Sequence, residues 1–135
     1  MLDDTDSLIL DALRTNSRIT MKELGEKVHL SGPAASARVE KLEDAGVIEG
    51  FTIKVNPEKM GYPVHAFITI FTSSSYHTPY LKLVAANEQY VVRNHKISGD
   101  GCYLLECRFP SNKVLDEFLV QLESHVNYKL SIVIS

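Results

Sequence analysis

Apolar residues recur along this chain in two rhythms, three and four apart before residue 46 and alternating or in short runs after residue 62. In the first stretch Asp3 can cap a helix with Asp6 three residues on, Ile9, Leu10 and Leu13 form its buried stripe, and Thr15-Asn16-Ser17 stops it. Thr20-Met21-Lys22-Glu23 has the form of a capping box, which predicts a second helix running to about Val28. Ser31 is a further N-cap, and Pro33 falls in a first turn where its missing N–H does no harm. Ala35, Val39, Leu42 and Ala45 then form one stripe, and Gly46 closes a third helix over about 32–45.

Two short helices joined only through His29 and Leu30 lack the apolar surface to stand alone and need the first helix, so a three-helix core is predicted. A tight turn between helices two and three is the helix-turn-helix arrangement. Gly25 allows close approach of helix three, and His29 occupies a turn position where a positive φ is expected. After Gly46 the period changes. Residues 47–55 read as one or two extended pieces and residues 56–61 as a short helical turn, so a first domain at 1–50 and a linker at 51–62 are expected.

Residues 63–135 carry the second rhythm. From Pro63 to Thr72 both faces of a strand are largely apolar, which predicts cover on both sides. Thr78-Pro79 is expected to cap a helix containing Leu81, Val84 and Ala85, followed by a strand from Val91 to Ile97 and a tight Gly99-Asp100-Gly101 hairpin turn. A strand from Cys102 to Phe109, a helix capped by Ser111 and a strand from Val126 to Ile134 complete the order. The sequence βαββαβ predicts a ferredoxin-like antiparallel sheet with both helices on one face. The fold class is therefore α+β. The bare face, apolar in part, is expected to meet a second copy of the chain.

Charge complicates the first domain. The chain carries −3 overall, and residues 1–50 hold ten acidic against six basic groups, a net of −4. A DNA site there must gather its cations on one face. The expected recognition helix is the third, with Ser31, Gly32, Pro33, Ala34, Ser36 and Ala37 small near its start and Arg38 and Lys41 farther along. Arg38 is expected to meet guanine or phosphate, and Arg18 and Lys22 to meet the DNA backbone. Asp3, Asp4, Asp6 and Asp11 fall on helix one, away from DNA. So few cations predict weak binding by one copy and dependence on two or more.

Leu2-Asp3, Asp6, Ile9-Leu10, Leu13, Arg18, Glu23-Leu24, Leu30-Ser31, Arg38-Val39, Leu42-Glu43 and Gly46-Val47-Ile48 with Gly61 resemble the leucine-responsive and asparagine-responsive regulators, the Lrp/AsnC family. The resemblance spans nearly the whole chain. It implies a DNA-binding transcription factor whose ferredoxin-like half dimerises, often into tetramers or octamers, and responds to an amino acid. It also implies an effector loop at Gly99, Asp100, Gly101, Cys102 and Tyr103, where Cys102 replaces the family's usual Asp.

Other classes find less support. No nucleophile beside a base, paired carboxylates or phosphate-cradling glycine loop is present, so an enzyme is not expected. The five histidines show no metal-ligand spacing, and Cys102 and Cys107, five apart on one strand, point to opposite faces, so neither a metal, a cofactor nor a disulfide is expected. The acidic start and the lack of a long apolar run predict a cytoplasmic protein without membrane contact, and DNA binding would make it nucleoid-associated. A small-molecule sensor with no DNA role is the alternative, but it would not need the capped helix pair.

Overall fold

In a computed structural model that describes residues 1–135, the Asp3 carboxylate accepts the Asp6 amide at 2.7 Å and the Asp6 carboxylate accepts the Asp3 amide at 3.1 Å. This closed capping box starts α1 (Asp4–Thr15). Only half of the second expected box forms: Thr20 accepts the Glu23 amide at 3.1 Å at the head of α2 (Met21–Val28), without a return bond from Glu23. Ser31 caps α3 (Gly32–Asp44) by accepting the Ala34 amide at 3.2 Å.

His29 closes α2 in the left-handed region at φ 62, as its turn position requires. A Cβ on Gly25 would stand 2.4 Å from the Leu30 carbonyl oxygen and 3.0 Å from Ser31. Gly25 thus makes room for the turn's own backbone rather than for the body of the third helix. Ile9, Leu13, Ile19, Leu24, Val28, Ala35, Val39 and Leu42 bury one small aliphatic core between the three helices. Residues 47–55 form no strand; Val47 and Ile48 donate back to the Leu42 carbonyl and the rest is irregular. Their alternation finds no partner strand, and an unpaired extended segment has no ladder to hold it.

The chain divides into two compact units, Met1–Lys54 and Val55–Ser135. The second holds β1 (Val64–Phe71), α4 (Thr78–Ala86), β2 (Val91–Lys96), β3 (Tyr103–Phe109), α5 (Asn112–Glu123) and β4 (Asn127–Ile132). The antiparallel sheet runs in the order β2-β3-β1-β4. Ala66, Ile68 and Ile70 of β1 and Tyr103, Leu105, Cys107 and Phe109 of β3 point to one face, in a core shared with Leu115, Phe118, Leu119 and Leu122 of α5 and Tyr80 of α4.

Three expectations need correction here. Thr78 is the first residue of α4 instead of its cap; His77 precedes it and gives no side-chain cap. The β2–β3 connection is wider than a two-residue turn, because Ile97 donates to Cys102 across four loop residues in which Gly99 and Gly101 both take positive φ. Around β1 the opposite face is mixed, where the strand was expected to be largely apolar on both sides. Beside Phe67, Phe71 and Leu104 it carries His65, whose Nε2 lies 2.6 Å from Glu106 and whose Nδ1 accepts from Arg108 at 3.3 Å.

Candidate nucleic-acid interface

At about 100° per residue, the buried stripe of α3 leaves Pro33, Ala37 and Asp44 on its outward line. Ser36, Glu40 and Glu43 occupy one flank, where with Leu13, Met21 and Phe51 they border an open cleft of about 480 Å³. Ala34, Arg38 and Lys41 occupy the other flank. The expected contact residues are therefore split: Ser36 shares its flank with carboxylates, and Lys41 lies across the helix from it.

The head of α3 is the most open part. Gly32 and Ala34 are half-buried, while Ser31, Pro33, Ser36 and Ala37 are exposed and none is larger than proline. The start of α2 lies beside it, since a Cβ on Gly32 would sit 3.5 Å from Lys22 Cα. Two helix N-termini thus stand together, each ending in amides that favour anions. Lys22 is exposed there, and exposed Arg18 lies on the preceding loop, its amide donating to Asn16 Oδ1 at 3.1 Å.

Arg38 departs from expectation. Its Nη1 donates to Asp3 Oδ2 at 2.7 Å and to Asp6 Oδ1 at 3.1 Å, so the guanidinium turns toward the head of α1 instead of outward to DNA. The two acidic residues expected to face away from the chemistry of α3 are bound to it. Asp3 is held below its ordinary pKa of 3.8, first by the Asp6 amide and then by Arg38, and the Asp3 and Asp6 carboxylates in turn raise Arg38. Of the six cations in residues 1–50, only Arg14 and Arg38 are ion-paired, which leaves Arg18, Lys22, Lys27 and Lys41 free. Lys27 is exposed in the last turn of α2, at the opposite end of that helix from the paired helix heads.

In the second unit, the loop residues Gly99, Asp100, Gly101, Cys102 and Tyr103 meet the β1–α4 connection. A Cβ on Gly101 would lie 2.8 Å from Thr69 Cγ2 and 2.9 Å from the Ile70 oxygen, so the loop presses on β1. Cys102 donates its amide to Ile70 at 2.7 Å, and its Sγ lies 3.0 Å from the Thr72 hydroxyl, which lowers the thiol's pKa. Burial instead pushes the Cys107 thiol up to about 12. Tyr103 reaches His77 Nδ1 at 2.9 Å, and His77 Nε2 meets the Ser74 carbonyl at 3.0 Å. A carbonyl only accepts, so Nε2 carries a proton and donates it to Ser74. Thr72, His77 and His125 line a cavity of about 190 Å³ beside this network, smaller than most ligand sites. Asp100 is exposed and makes no side-chain hydrogen bond.

Comparison with known proteins agrees with this layout. A family model for winged helix-turn-helix DNA-binding matches residues 2–49. The transcriptional regulator LrpA of Bacillus subtilis (strain 168) is 56% identical, over 99% of this chain and 98% of its own length. B. subtilis LrpC superposes with a TM-score of 0.92 at 26% identity, covering 100% of this chain and 96% of that one. The Neisseria meningitidis regulator NMB0573, solved as a complex with L-Met, superposes with a TM-score of 0.91 at 29% identity over 100% and 91% of the two chains. With a capped helix-turn-helix, a β2-β3-β1-β4 sheet unit and a regulator this similar end to end, the chain belongs to the Lrp/AsnC family of DNA-binding transcriptional regulators.

Proposed function

We propose that this regulator acts on double-stranded DNA as a homo-oligomer, with α3 of each copy entering a major groove head first. The observation that carries the reading is the pairing of small side chains at the head of α3 with the free cation Lys22 beside it, Arg18 lying exposed on the loop before α2. Ser31, Gly32, Pro33, Ala34, Ser36 and Ala37 let the backbone approach, and Lys22, Arg18 and Lys41 meet phosphates. Three such cations per copy give modest affinity, so two or more copies on spaced half-sites supply the rest. The sheet unit supplies the pairing, as a dimer and then a tetramer or octamer. It acts by binding rather than catalysis, in the cytoplasm among the nucleoid DNA.

The similarity to a regulator solved with L-Met supports an amino-acid effector at the loop of residues 99–103. Cys102 has no carboxylate to hold an ammonium group, so the effector's amino group finds its acceptor elsewhere, with Asp100 the nearest exposed carboxylate in sequence. Fluorescence anisotropy with genomic fragments tests the DNA reading. Binding should fall steeply with salt, and Lys22→Ala should reduce the log–log slope by about one. Binding insensitive to both would end it. Sedimentation and a thermal-shift screen of the twenty amino acids test assembly and effector in turn.

A further inference from the structure

We propose that Arg38 is a positioning residue which fixes the recognition helix against the head of α1, and that it does so without touching DNA. This rests on the DNA-binding reading above. The arrangement uses every oxygen of two carboxylates. Asp3 Oδ1 and Asp6 Oδ2 close the capping box on each other's amides, and Asp3 Oδ2 and Asp6 Oδ1 converge on Arg38 Nη1.

These are the only side-chain hydrogen bonds joining α1 to α3, and the only ones in the first unit that link residues far apart in sequence. Everything else holding α3 to α1 is the small aliphatic core, whose non-directional contacts fix small rotations about the helix axis less sharply than hydrogen bonds do. A guanidinium bound to a fixed cap supplies direction. Arg38 shares its flank with Lys41, on the side nearer the buried stripe, so a turn of α3 that broke its bonds would also swing Ser36, Ala37 and Lys41. The Asp6 side chain is only 12% exposed, which places one anchor inside the fold and away from competing phosphate.

The sign of one substitution separates this role from a DNA contact. Asn caps helices as well as Asp, so Asp3→Asn keeps its oxygen on the Asp6 amide and turns its NH2 toward Arg38, setting donor against donor. Simple electrostatics predicts tighter DNA binding when a carboxylate is removed. The positioning role predicts the reverse.

The experiment measures DNA affinity across a salt series for the full-length wild type, Arg38→Ala, Asp3→Asn and the double variant. Expected are losses of about tenfold for each single variant, a double variant little worse than either, and slopes equal to wild type. A slope reduced by about one in Arg38→Ala, or tighter binding by Asp3→Asn, overturns the proposal. Amide hydrogen exchange on the DNA-free proteins supplies an independent arm: both variants should speed exchange in α3, without additivity. Unchanged α3 exchange in Asp3→Asn overturns the proposal whatever DNA does, whereas a wild type that ignores DNA removes the DNA-binding reading and leaves this arm to decide.

Discussion

The two units of this chain are stabilised in different ways. The apolar core of the helical unit is eight aliphatic residues, and the unit relies on caps, one tight turn and one ion-pair cluster to define its shape. The sheet unit buries twelve, including Tyr80, Tyr103, Phe109 and Phe118, with ring contacts such as Tyr80–Tyr103 at 4.8 Å and Phe109–Phe118 at 5.5 Å. Small cores bury a smaller fraction of their surface and leave less margin. Geometry that must be held for DNA is therefore built on the unit with less to spare, where individual hydrogen bonds and backbone angles matter most.

Core truncations give the sharpest contrast. Phe118→Ala should cost the sheet unit about 3–5 kcal/mol and Leu24→Ala the helical unit about 2–5 kcal/mol, both from fully or nearly fully buried sites. The smaller loss should have the larger consequence, unfolding the helical unit while the sheet persists. Cys107, buried in the sheet and absent from the helices, reports this directly with a thiol reagent. It should stay protected in Leu24→Ala and become reactive in Phe118→Ala. Joint exposure of Cys107 in both variants would show that the units do not differ as described.

Next in size is Gly25→Ala, whose methyl would meet the Leu30 carbonyl at 2.4 Å. Opening that turn should cost about 3 kcal/mol, seen as a fall on the order of 15 °C in the helical unit's melting midpoint. His29→Gly should act in the other direction. Removing a side chain held at φ 62 should stabilise by about 1 kcal/mol or less in denaturant titrations, and a loss would mean that the imidazole contributes contacts of its own.

The gentlest lever is acid. Because the folded pKa of Asp3 is depressed, its contribution is present above 3.8 and is lost as pH falls through the lower, folded value. The helical unit's melting midpoint should therefore decline in that acidic window, and less steeply in Arg38→Ala. Equal acid sensitivity of wild type and Arg38→Ala would remove Arg38 from the effect.

Much of this fold was legible in the residues because local rules govern it. Asp3, Thr20, Ser31 and Ser111 each sit at an N-cap, and the period change after Gly46 separates helices from sheet. What was not legible depended on partners distant in sequence. Residues 47–55 alternate like a strand, but nothing lies alongside them to complete a ladder. Thr78 resembles a cap by composition, yet the backbone enters α4 one residue earlier, through His77. Arg38 was read from its own helix as a free cation, and only the return of α1 thirty-odd residues away shows it bound. The link from Tyr103 through His77 to Ser74 likewise spans two connections that no spacing rule joins.

The strand order has a consequence for how the chain is made. Residues 1–54 form a compact unit of their own, so the helical unit can fold as soon as they leave the ribosome. The sheet cannot close so early. β4 is synthesised last, yet it lies against β1, pairing Ala66 with Ile132 and Phe71 with Asn127, so one side of β1 waits open until the final strand arrives. During synthesis the reader of DNA is finished first, while the half that would join copies together carries an unpaired strand edge to the last.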